Sequence, residues 1–132
     1  MSDPTEYLEL DDLVDLVRTL LGDPPPIRDI GLLGSAAARP QTTAFGEDAY
    51  PDLITKAAAL LQSIVNNHAL VDGNKRLGWL ATAVFLELNG VKASRVANDD
   101  LYELVIWVAS TNPAFAEITA RLRALVRPRK GR

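Results

Sequence analysis

The sequence predicts an all-α fold: a compact domain of about six helices with one small flap. Three observations carry this reading. Apolar residues recur at three- and four-residue spacing along most of the chain. The periodic segments are bounded by Pro, Gly, Asn and Asp at positions where helices start and stop. One internal stretch, RPQTTAFGEDAYP, breaks the pattern with a proline, β-branched residues and a Gly-Glu-Asp turn signal. The 132 residues, with 48% hydrophobic and 23% charged side chains, suit a single domain (1–132) with a core of ordinary size.

In chain order, LELDDLVDLVRTLLG places Leu10, Leu13, Val14, Val17, Leu20 and Leu21 on one helical face, with Gly22 as the stop. DPPPIRD fixes φ and lacks donors at three successive prolines, so it reads as a connector within the domain. IRDIGLLGSAAAR is a short helix weakened by Gly31 and Gly34. The flap follows, over about residues 39–47. PDLITKAAALLQSIVNNHAL starts a helix with Pro51 as its expected first residue and ends it near Asn66, Asn67 and His68. GNKRLGWLATAVFLELNG is a second apolar helix, expected to be buried on most sides and closed by Gly90. NDDLYELVIWVAS and NPAFAEITARLRALV complete the set, with Asn98 and Asn112 as expected N-caps and Pro113 opening the last helix. Trp79, Phe85 and Trp107, spaced among aliphatics, read as core packing, and Tyr50 as a flap hinge or helix-start staple.

Composition excludes several classes. With no cysteine there are no disulfides, thiolate zinc sites or cysteine nucleophiles. A net charge of −3 lacks the basic footprint of general nucleic-acid binding; the cations gathered in RLRALVRPRKGR read as a helix end with a frayed tail. No apolar run approaches the roughly 20 residues of a membrane span, and the acidic N-terminus lacks a signal-peptide core. A cytoplasmic protein is expected.

The chemistry concentrates in HALVDGNKRLG, which holds the only histidine. His68 ends one helix, a short loop follows, and Asn74, Lys75 and Arg76 open the next. Backbone N–H groups at a helix start lack internal partners and sit at the positive end of the macrodipole. With Gly73 admitting a ligand close to the backbone and two cations alongside, this end suits a phosphate. Asp72 is misplaced beside a bare phosphate but sensible as a ligand of Mg²⁺, which takes one or two carboxylates plus phosphate oxygens. An imidazole, with an ordinary pKa of about 6.5, takes a proton from an attacking hydroxyl. These are the parts of group transfer from a nucleoside triphosphate to a hydroxyl. The Walker spacing and its preceding strand are absent.

His68-Ala-Leu-Val-Asp72-Gly73-Asn74-Lys75-Arg76 resembles the Fic/Doc motif H-x-F-x-[DN]-[GA]-N-[GK]-R, and the helix–flap–helix–motif–helix order extends the likeness over most of the chain. The resemblance implies a Fic fold that binds ATP with Mg²⁺. It makes His68 the general base, Asp72 the metal ligand, and Gly73, Asn74, Lys75 and Arg76 the phosphate cradle. The flap, with Arg39, Thr42, Thr43 and Phe45, would hold a target segment as an added strand. Lys75 matches the Doc ("death on curing") toxins, which act as kinases on the elongation factor EF-Tu and are neutralised by a Phd-like antitoxin. Gly73 matches the Fic form, which transfers AMP, and Leu70 replaces the usual phenylalanine. The lysine, whose bulk and charge fall where the nucleotide sits, favours the kinase. Thr43 to Glu47 superficially matches the family's self-inhibitory S/T-x-x-x-E-G/N, but Asp48 breaks it, so inhibition is expected from a separate protein. Two other readings stand beside the kinase: a catalytically idle nucleotide-binding regulator, and a helical interaction domain whose polar loop is only helix caps.

Overall fold

The computed structural model describes residues 4–92 and 98–126. Their order is α1 (Leu10–Leu21), α2 (Ile30–Ala38), a 3-10 turn (Arg39–Gln41), β1 (Thr43–Ala44), β2 (Glu47–Asp48), α3 (Leu53–Asn67), α4 (Asn74–Leu88), α5 (Asn98–Thr111) and α6 (Phe115–Val126). The all-α expectation holds. β1 and β2 form an exposed antiparallel hairpin, Thr43 opposite Asp48 and Ala44 opposite Glu47, and this is the flap. No described helix is long and apolar enough to cross a membrane. Of the basic segment 121–132, the first six residues end α6 as expected, and residues 127–132 lie outside the described residues.

α1 buries Leu13 and Val17 and ends at Gly22, whose φ of 111° is open to glycine. α2 starts at Asp29, whose carboxylate accepts from the Leu32 amide at 3.0 Å. The centre of the domain is α3. Ala57, Ala58, Ala59, Leu60 and Leu61 are all at most 1% exposed, so neighbours enclose this helix on almost every side. The expectation of a helix buried all round therefore belongs to α3. α4 buries one face, through Leu77, Gly78, Ala81, Thr82, Phe85 and Leu86, while Leu88 is half exposed. A Cβ on Gly78 would stand 2.9 Å from Val65 Cγ2, so the missing side chain permits the close approach of α4 to α3.

The caps differ from expectation in three places. Pro51 precedes the cap instead of opening α3, and Asp52 is the N-cap, in a reciprocal capping box with Thr55. Asn112, at φ 48°, closes α5 by donating its amide to the Val108 carbonyl, so it is not the N-cap of α6. That role falls to the Ala114 carbonyl, which accepts from Glu117 and Ile118, while Glu117 reaches back to the Ala114 amide. Pro113 likewise lies before α6; α5 is described from Asn98 onward, so the cap expected there borders residues outside those described.

Burial raises the Asp52 carboxyl, but the Thr55 hydrogen bonds and the Arg123 guanidinium at 3.2 Å outweigh it and hold it below its ordinary 3.8. A depressed carboxylate stabilises the fold above its unfolded pKa and ceases to do so as pH falls through the folded value. Through loss of the helix cap, Asp52→Ala should cost about 1 kcal/mol at pH 7. In denaturant titrations the gap to the parent should close below about pH 3.8 as the native carboxyl protonates.

Candidate active site

α3 ends at Asn67, and His68 turns the chain in the left-handed region at φ 54°, ψ 45°. Histidine tolerates this region better than most side chains do. The loop then dives inward, with Ala69 and Leu70 only 4% and 2% exposed. Asn74, the first residue of α4, braces it by accepting from the Leu70 amide at 3.0 Å and donating to the Leu70 carbonyl at 3.2 Å. Asp72 Oδ1 accepts from the Gly73 amide at 2.9 Å, and its second oxygen has no hydrogen bond among the described residues.

Gly73, at φ 89°, is the N-cap of α4 and supplies no side-chain acceptor. Two constraints require glycine here: the left-handed backbone, and Leu21 Cδ1, which lies 2.6 Å from where a Cβ would stand. The first turn of α4 contains no acidic residue and instead carries Lys75 and Arg76, both exposed. Two cations at the positive end of a helix oppose its stability. The arrangement makes physical sense as a seat for an anion, which the free N–H groups and both cations would bind together.

His68, Asp72, Gly73, Asn74, Lys75 and Arg76 line one cleft of about 390 Å³, with Tyr102 of α5 on its far wall. The structure thus brings together every motif residue that the sequence singled out. It does not bring the flap residues there: Arg39, Thr42, Thr43 and Phe45 are absent from the cleft wall. Thr42 and Thr43 are exposed at the hairpin base, and Phe45 is fully exposed at its tip, at φ 55°.

Two expectations change in detail. Arg39, expected on the flap as a docking residue, lies in the 3-10 turn before β1. Its guanidinium turns inward from the 3-10 turn, donating to the Tyr50 hydroxyl at 2.8 Å, Gln62 Oε1 at 2.7 Å and Ser63 Oγ at 3.1 Å. A cation this close to the core is held by such partners and by the Tyr50 and Phe115 rings, each 5.3 Å away. Tyr50 is thereby tied down at the flap base, its hydroxyl on Arg39 and its ring edge-on to Phe115 at 5.5 Å. Asn74, expected in the phosphate cradle, spends its amide on Leu70, so its contribution to an anion is its backbone N–H.

A model of the Fic/DOC family matches residues 7–86, which takes in the flap, the whole motif loop and most of α4. The chain belongs to the Fic/DOC family. The protein named Toxin Doc from Mycolicibacterium smegmatis is 47% identical over 119 residues, covering 89% of this chain and 92% of that one.

As a Fic/DOC domain the chain departs from the usual motif at Leu70, and the structure shows what the replacement does. Leu70 is buried and pairs with Ile27 in an antiparallel bridge, so the loop is anchored in the core. Of the aromatics, Phe85 is a core residue near Tyr7, with ring centroids 6.3 Å apart. Trp107 packs under Arg121 at 3.9 Å, and Trp79 meets Tyr102 edge-on at 6.2 Å. Among the described residues no three carboxylates or imidazoles gather as a ready-made metal cage. Asp72, with one carboxylate oxygen free of hydrogen bonds among the described residues, fits a magnesium ion that arrives with substrate phosphates.

Nothing in the residue pattern announces what the proline-rich connector does at this site. Ala69 O accepts from the amides of Arg28 and Asp29 at 2.8 and 2.9 Å, Val71 N donates to Pro26 O at 3.0 Å, and the Arg28 guanidinium donates to the His68 carbonyl. Prolines offer carbonyls without donors, so such a segment suits pairing on one side only. That is the available signal, and it does not name the partner.

Proposed function

We propose that this Fic/DOC protein is a cytoplasmic toxin that moves the γ-phosphoryl group of ATP to a hydroxyl of a translation factor, with EF-Tu as the expected target. A Phd-like antitoxin would neutralise it. The carrying observation is the convergence of His68, Asp72 and the uncapped, doubly cationic start of α4 on one cleft. The relative named Toxin Doc and the lysine at position 75 support the toxin and kinase parts of the reading.

The chain's own residues account for the steps. The target hydroxyl loses its proton to the His68 imidazole as its oxygen forms a bond to the γ-phosphorus. The bond to the β–γ bridging oxygen breaks, and ADP leaves with that electron pair. Free N–H groups at the start of α4, with Lys75 and Arg76, hold the phosphate oxygens and offset the charge that builds on them. Asp72 would hold Mg²⁺, which supplies charge neutralisation on the phosphates when bound.

The test is the intact mass of EF-Tu after incubation with the protein and Mg-ATP. A gain of about 80 Da, one phosphoryl group, is expected, and chelating the magnesium should abolish it. A gain of about 329 Da, one AMP, would replace the kinase with the second reading, which Gly73 favours. No gain would remove EF-Tu as the target.

A further inference from the structure

We propose that Arg28 is a positioning residue for His68. The inference deepens the catalytic reading of the cleft and rests on it for its kinetic arm only. His68 occupies a backbone conformation that L-residues enter at a cost of about 1 kcal/mol, and its carbonyl lies beyond the end of α3. Four hydrogen bonds from residues 26–29 define the path of residues 68–71. Three are backbone bonds and survive any side-chain change. The fourth, from the Arg28 guanidinium, is charge-assisted and ends on the His68 peptide unit itself.

That peptide unit sets the direction in which the imidazole leaves the backbone. The imidazole makes no hydrogen bond of its own among the described residues, so its aim depends on the backbone beneath it. Arg28 is otherwise exposed and packs into no core, so its removal leaves the fold intact. Misplacing a catalytic group by about 1 Å costs up to about 100-fold in rate. A positioning residue should lower kcat and leave nucleotide affinity alone.

Because the chain has one histidine, a proton–carbon correlation spectrum of its imidazole contains a single residue's signals, and this gives a readout that needs no activity. In Arg28→Met these signals should shift or broaden. The kcat for transfer should fall about tenfold, with the KM for ATP unchanged, and Arg28→Lys, which keeps a charged donor, should restore much of both. Circular dichroism should show an unchanged melt. Imidazole signals identical to the parent's in Arg28→Met would overturn the proposal, and so would an unchanged kcat. If the parent transfers nothing, the reading of the cleft has failed, and the imidazole spectrum alone decides the role of Arg28.

Discussion

Replacing His68 should lower phosphoryl transfer by about 100- to 10,000-fold, the range for losing a general base. Growth arrest on expression should disappear with it. The cleft contains no second imidazole, and Asp72, the neighbouring carboxylate, is engaged by the Gly73 amide at the start of α4. No other described group in the cleft is therefore placed to take the proton. His68→Ala also removes a side chain that tolerates the left-handed region, at a cost of about 1 kcal/mol. His68→Asn tolerates that backbone and separates the two effects. Transfer should be lost in both variants, while the melt should fall only in the alanine form. Full transfer by His68→Asn would sink the base assignment, and full growth arrest with it would point to toxicity by another route.

The second large effect is on stability. Leu70→Ala should cost about 3 kcal/mol, read as a lower urea midpoint, because it empties a fully enclosed site in the core. It should also slow transfer among the molecules that remain folded. The Leu70 backbone is where three constraints meet: the bridge to Ile27, and both hydrogen bonds of the Asn74 amide. Loosening the side chain beneath them frees the loop between the base and the phosphate end. A loss of stability with kcat unchanged would show that Asn74 and the connector hold the loop unaided.

Helical periodicity made the order of elements legible, since Leu10 to Leu21 and Ile54 to Val65 carry their core faces openly. Motif chemistry made the cleft legible, because His68 to Arg76 are near neighbours in sequence and a short loop keeps them so in space. What escaped depended on distant partners. Asn112 and Pro113 read as a helix start, but the amide of Asn112 was claimed by the carbonyl of Val108 one turn back. Arg39 read as a surface residue of the flap until Gln62 and Ser63, over twenty positions on, drew it inward. Lys56 is 2% exposed and holds Asp48 of β2 at 3.0 Å together with the Tyr50 carbonyl. Nothing in its own neighbourhood of the sequence separates it from an ordinary surface lysine.

The pairing of the connector with the motif loop also bears on when, during synthesis, the cleft takes shape. Arg28 and His68 are 40 residues apart in the chain. At ribosomal speeds of about 5 to 20 residues per second, the connector emerges roughly 2 to 8 s before its partner. The loop that it shapes must then wait for α4, whose first residue braces Leu70. Translating the motif therefore does not by itself shape the cleft. The cleft is complete only once both flanks have docked, so the motif acquires its shape well after it has been synthesised.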